Sequence, residues 1–236
     1  MHKLIRNRLT IPLMPFYRRY PYRQGISVNS ADARGCVDLK AGFFCNRIPK
    51  AANSTIVENL ARISFGEDVP SKVAKKRFTT PSQLSSAQLD QLDGLFRFAV
   101  VRNPFTRTLS AYLDKVERRA RDRNRESSFH DFLQGLASGQ LYSNAHWAPQ
   151  SSLLLLPYGS FDFFGKVENL DQDLAFIKAR ILGDRYQPEP VRAFTANATG
   201  AGGKLAAYYD EHCIRLVQSL FSDDFDCFNY SRDLPG

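Results

Sequence analysis

The chain has 236 residues, 43% apolar and 12% aromatic, which suits one sizeable globular domain and excludes a disordered or fibrous protein. A formal net charge of +8 calls for an anionic partner but does not choose among nucleic acid, acidic glycan, membrane surface and phosphorylated nucleotide. No apolar run approaches the ~20 residues of a membrane-spanning helix, and the four cysteines have neither metal-ligand spacing nor the density of a disulfide scaffold.

Residues 1–40 are basic and aromatic. Pro12 and Pro15 stand where a signal peptide would carry its apolar stretch, so no secretion signal is expected. This stretch reads as a strap lying on a domain of residues 41–236. The alternative is a peripheral membrane contact through Phe16, Tyr17, Tyr20 and Tyr22. A reducing, cytoplasmic compartment is the matching expectation.

GFFCNRI, residues 42–48, reads as a strand. A helix is expected from about Ser54 to Phe65, with Ile56, Leu60 and Ile63 on one face and Gly66 as its stop. Residues 67–90 look irregular until SSAQLDQLDGL, where Ser85 and Ser86 suit a helix cap. Residues 96–101 form a second strand. Asn103 then suits an N-cap and Pro104 the first helical position, with Phe105, Leu109, Tyr112, Leu113 and Val116 spaced for one buried face. ERRARDRNRE, residues 117–126, is either a solvated helix end or a surface for an acidic acceptor. A short helix around 129–136 precedes the polar stretch YSNAHWAPQSS. A third strand at 161–167 leads into a helix carrying Leu170, Leu174, Ile177 and Ile181. ANATGAGGK, residues 196–204, is a Gly-rich loop, and a last helix is expected over 205–221. Strands alternating with helices predict an α/β domain whose parallel sheet is covered on both faces. The sequons at Asn53, Asn197 and Asn229 read as chance matches.

Two strand-to-helix switches carry the chemistry. At the first, Pro49, Lys50, Ala51, Ala52, Asn53, Ser54 and Thr55 place a cation, small side chains and hydroxyls where backbone N–H groups open towards an anion. The order is not a Walker A loop, because the lysine precedes the helix and the glycines are missing. At the second, Arg102 closes a strand and Ser110 lies two turns further on, suiting a phosphate. Arg107 is expected in a structural pair. Two such sites imply a ligand with two anionic ends. Lys204, after Gly202 and Gly203, either reaches that ligand or sits on a surface hinge. No metal site is expected.

These segments resemble a known family. IPKAANST is similar to the 5′-phosphosulfate loop, and FAVVRNPFTRTLSAYLDKV to the 3′-phosphate segment, of the Golgi-type carbohydrate sulfotransferases that include the chondroitin enzymes. NAHWAPQSSLL, FDFFGKVENLDQDLAFI and YYDEHCIRLVQSLFSDDFDCFNYS follow that family's later pattern in order. The resemblance implies a P-loop-like fold and transfer of a sulfuryl group from 3′-phosphoadenosine 5′-phosphosulfate (PAPS) to a carbohydrate hydroxyl, leaving 3′-phosphoadenosine 5′-phosphate (PAP). No metal is required by this chemistry. Lys50 would meet the leaving oxygen and His146 would be the general base, titrating near an ordinary ~6.5. Glu168 is the other candidate near the site, and Trp147 either stacks on a sugar ring or packs the core. The membrane anchor and extra cysteines of the family's eukaryotic members have no counterpart here, which suggests either a soluble, bacterial-type version or a truncated chain. The alternative readings are a P-loop-like nucleotide phosphotransferase and a non-enzymatic protein binding anions or nucleic acid. No motif for reading nucleic acid is present.

Overall fold

The computed structural model describes residues 9–188 and 199–236. Four short strands, β1 (Gly35–Asp38), β2 (Phe43–Asn46), β3 (Phe96–Val101) and β4 (Phe163–Lys166), form one sheet in that order. β2, β3 and β4 run parallel, and β1 pairs antiparallel with β2 at the edge. The expected parallel sheet is thus present in β2, β3 and β4, and β1 adds an antiparallel edge strand. GCVD is only four residues long and lacks the apolar alternation that announces a strand, so its strand character comes from pairing with β2.

The alternation of side chains along β2 and β3 divides the core. Phe43, Cys45, Phe98 and Val100 face the helices Asn53–Phe65 and Leu170–Leu182, meeting Ile56, Val57, Leu60, Leu174 and Ile177. Phe44, Ala99 and Val101 face the other way, against Leu153, Leu155 and the N-terminal residues Phe16 and Tyr17. Phe16 is wholly buried and stacks on Phe44 with ring centroids 6.3 Å apart, while the Tyr17 hydroxyl donates to Asp32 at 3.0 Å. Tyr22 donates to the Ser152 carbonyl at 2.7 Å. Phe16 and Tyr17 are thus part of one core layer, and Tyr20 and Tyr22 pack partly buried against it, which draws these aromatics inward, away from the membrane contact considered for them.

Three helical expectations change. Ser71–Arg77 is helical within the stretch read as irregular; apart from Ala74 its side chains are partly or fully exposed, too few buried for an apolar period to show. The helix expected over 205–221 is broken into Leu205–Tyr208 and Glu211–Leu220, and Ser222–Cys227 follows as a further helix. The Asp210 carboxylate accepts the Cys213 N–H at 2.7 Å, starting a new helix where an unbroken one would need no cap. The helix after β3 runs α-helically over Pro104–Tyr112 and then passes through a π turn at Leu113–Glu117. Among the described residues no helix is long and apolar enough to cross a membrane.

Candidate functional site

The C-terminal ends of β2, β3 and β4 open on a cavity of about 550 Å³, as the loops after parallel strands commonly do. Its floor is the loop between β2 and the Asn53–Phe65 helix. Ile48, Pro49 and Ala51 are buried, fixing the loop from beneath. Lys50 and Ala52 both take left-handed backbone conformations, φ 67° and 48°, which cost a side-chain-bearing residue energy and recur at ligand clamps. The helix has no side-chain cap at Ala52, so its first turn presents backbone N–H groups at the cleft. Pro49, Lys50, Ala52, Asn53, Ser54 and Thr55 line the cavity; Ala51 supports them from below.

The second wall is the start of the Pro104–Tyr112 helix. The Asn103 side chain accepts the Phe105 N–H at 2.9 Å, the cap that the sequence announced. The fully buried Gln150 donates to the Arg102 carbonyl at 2.8 Å and accepts the Arg102 N–H at 2.9 Å, so the end of β3 cannot rotate. The Arg102 guanidinium donates to Thr106 Oγ1 at 3.0 Å and to the Lys50 carbonyl at 3.3 Å, joining the two strand-to-helix junctions. Ser110 faces the same cavity, and its hydroxyl accepts from Thr199 at 3.0 Å. Glu168 accepts the Asn103 N–H and the Tyr230 hydroxyl, each at 2.9 Å. Its role is to hold the Arg102 turn.

Arg107 does not form the acidic pair expected of it. Fully buried, it donates to the carbonyls of Pro49 (3.1 Å), Ala148 (2.9 Å) and Ala145 (3.3 Å), tying the first anion loop to the segment that carries His146. Burial pulls its pKa down to about 10, against the attraction of Asp224.

Lys50 points its ammonium at Asp114, 3.1 Å away, with both side chains nearly sealed from solvent at 8% and 12% exposure. Asp114 also pairs with Lys115 and Arg118 at 2.9 Å each. Burial works to raise the Asp114 carboxyl, but Lys115 and Lys50 outweigh it and hold it at about 2. Lys50 is itself lowered, first by burial and then by Lys115 and Arg102, although Asp114 opposes this. Asp114 lies one helical turn beyond Ser110, and the wider π turn lets its neighbour Lys115 face the cavity as well.

His146 lines the same cavity. Asn144 Oδ1 accepts both the His146 backbone N–H, at 3.0 Å, and a contact from ring Nδ1 at 2.8 Å. An atom that accepts a backbone N–H is the amide oxygen, so Nδ1 carries the ring proton and Nε2 keeps its lone pair. Burial, then Lys115, Arg34 and Lys50, push the imidazole pKa down to about 3. The ordinary value near ~6.5 expected from sequence is corrected accordingly.

Not every candidate gathers here. Lys204 is exposed on a 3₁₀ turn and does not line the cavity, although Gly200, Gly202 and Gly203 do. Trp147 packs on Phe132 at 5.7 Å and donates to the Gln140 carbonyl. Arg118, Arg119, Arg121, Arg123 and Arg125 are exposed. His2 and the sequon at Asn197 lie outside the described residues. Sequence reasoning missed Arg34, Lys75, Asp114, Lys115 and Thr199. The i, i+4 step from Ser110 to Asp114 was a usable signal for one of them. Among the described residues no group of His, Cys, Asp and Glu is placed to hold a metal.

One comparison with known proteins finds a match: the family described as "Sulfotransferase family" fits residues 36–231, most of the chain. No curated protein and no solved structure matches.

Proposed function

Since the chain belongs to the sulfotransferase family, we propose that it moves a sulfuryl group from PAPS to a hydroxyl of a carbohydrate acceptor. The observation that carries this reading is the joining of two strand-to-helix junctions in one cleft. The loop of residues 49–55 and the Arg102–Ser110 segment are connected by the hydrogen bond from Arg102 to the Lys50 carbonyl. The cationic side chains and uncapped helix start suit a donor with a phosphosulfate at one end and a 3′-phosphate at the other.

The chemistry assigned to the residues balances. His146 Nε2 takes the proton of the acceptor hydroxyl as its oxygen bonds to sulfur. The bond from sulfur to the 5′-phosphate oxygen breaks, and its electron pair remains on that oxygen. Lys50, released from Asp114 by a more strongly charged neighbour, meets the growing charge there. Arg102 and Ser110 hold the 3′-phosphate and take no part in bond making. Asn144 keeps Nε2 as the accepting nitrogen throughout.

The test is transfer of labelled sulfate from PAPS, in EDTA, to a panel of neutral and acidic oligosaccharides. Labelled glycan together with released PAP supports the reading. A protein that neither binds PAP nor labels any hydroxyl compound sinks it.

A further inference from the structure

The segment that carries His146 has no regular structure of its own: residues 141–150 form neither helix nor strand. Its backbone groups need partners from elsewhere, since a buried amide left unpaired is costly. Two buried side chains of opposite charge supply several of them. Arg107, on the Pro104–Tyr112 helix, donates to the carbonyls of Ala145 and Ala148, which flank His146 along the chain. Asp224, on the Ser222–Cys227 helix, accepts the N–H groups of Gln150 and Ser151, each at 2.8 Å. Burial raises the Asp224 carboxyl, and the attraction of Arg107 is the first influence opposing it. The same guanidinium donates to the Pro49 carbonyl at 3.1 Å. That carbonyl belongs to the peptide unit leading into Lys50, as the Ala145 carbonyl belongs to the one leading into His146. One rigid planar group thus grips the backbone beside both residues. Lys50 needs such a hold, because its left-handed φ of 67° persists only where the surroundings impose it.

We propose that Arg107 and Asp224 are a positioning pair for the transfer step: together they fix the backbone of His146 relative to that of Lys50, so that the base and the leaving-group cation stay in register. The inference rests on the sulfotransferase reading, which gives those two residues their tasks. Neither Arg107 nor Asp224 lines the cavity, so their work passes through the backbone they hold. Arginine suits the place better than lysine: its three carbonyls are taken by three different nitrogens, whereas an ammonium is a point charge. Asp224 extends the frame to the second junction, because Gln150, whose N–H it takes, holds both backbone groups of Arg102. In the proposed reaction nucleotide binding does not use His146. A shift of its segment should therefore appear in the rate of transfer and not in PAP affinity.

The test uses Arg107→Lys, which keeps the charge and loses the fork, and Asp224→Asn, which keeps the shape and loses one accepting oxygen. Both single variants and the double variant are studied as the full chain, with an oligosaccharide that wild type sulfates. Single-turnover transfer from PAPS, calorimetric titration of PAP and urea unfolding are measured on each. The transfer rate should fall ~10–100-fold in each single variant, as a displacement of about 1 Å between reacting groups implies, with PAP affinity within ~3-fold. The double variant should be hardly slower than the slower single one, since the two residues act as a unit. The acid limb of the rate should also move up towards the ordinary ~6.5 as the displaced imidazole gains water. A merely structural role would lower the urea midpoint and leave the folded protein's rate and pH profile alone. Asp224→Asn, the isosteric change, keeps the test usable if Arg107→Lys fails to fold. A rate within ~3-fold of wild type in a folded variant overturns the proposal, as does a parallel loss of PAP affinity or a double variant whose losses simply multiply. A wild type that labels no hydroxyl compound would instead overturn the reading on which it rests.

Discussion

Lys50 and His146 line one cavity, and the proposed reaction gives them different work. Lys50 is held by Asp114 rather than by solvent. In the proposed reaction its attraction to the donor competes with that ion pair, and the competition favours Lys50 most when charge concentrates on the leaving oxygen. Lys50→Ala should accordingly lower kcat by ~10²–10³-fold while weakening PAP by ~10-fold or less. Equal losses, measured by single-turnover transfer and by calorimetry, would reduce Lys50 to a binding residue. His146→Ala should cost ~10²–10⁴-fold in rate with PAP affinity retained. The pH dependence follows from its environment. Burial, then the nearby cations, hold the imidazole at about 3; an anionic donor would offset the cations, so the acid limb of kcat should fall between 3 and the ordinary ~6.5. The same residue links pH to stability. Below ~6.5 the unfolded chain binds a proton that the folded imidazole refuses, so its contribution, complete above ~6.5, is lost as pH falls towards 3. Between pH 6.5 and 4 the wild-type Tm should fall more steeply than that of His146→Gln; parallel curves would contradict the assignment.

The two junctions depend on elements that brace them from behind. Gln150 makes both of its side-chain hydrogen bonds to the backbone of Arg102 and is fully buried. Gln150→Ala strands a buried N–H and a buried carbonyl at the end of β3. It should cost about 2–3 kcal/mol in urea unfolding and loosen PAP binding by ~10-fold, since the arginine loses its fixed base. An unchanged unfolding midpoint would show that the turn stands without it. These braces explain how much of the site the sequence disclosed. The Asn103–Pro104 start and the Gly66 stop are local, stated by the residues that form them, and they were legible. So was the gathering of Lys50, Arg102 and Ser110, because each lies at a fixed offset from a strand end. Arg34 and Lys75 were not, since they reach the cavity only through the pairing of β1 and the packing of a helix with a single fully buried residue. The π turn that presents Lys115 has no local signature, and the break at Asp210 looked like an ordinary polar position inside a long apolar period.

At the scale of the molecule, the N-terminal residues are one layer of the core, and the cleft lies across the sheet ends they help to rigidify. Phe16→Ala empties a fully buried position stacked on Phe44, and should cost about 3–5 kcal/mol, with Tm falling in step. A loss under about 1 kcal/mol would show that the N-terminal segment is dispensable to the core. The net charge of +8 then acts on a folded molecule in which Arg34, Lys50, Lys75, Arg102 and Lys115 line one cleft. The central claim is that this cleft reads a ligand with anionic groups at both ends, and calorimetry of PAP against 5′-AMP in EDTA tests it most directly. PAP should bind at least ~10-fold more tightly, and Arg102→Ala should close most of that gap by removing the charged grip on the 3′-phosphate. Equal affinities for the two nucleotides, or a preference for PAP that survives Arg102→Ala intact, would contradict the account.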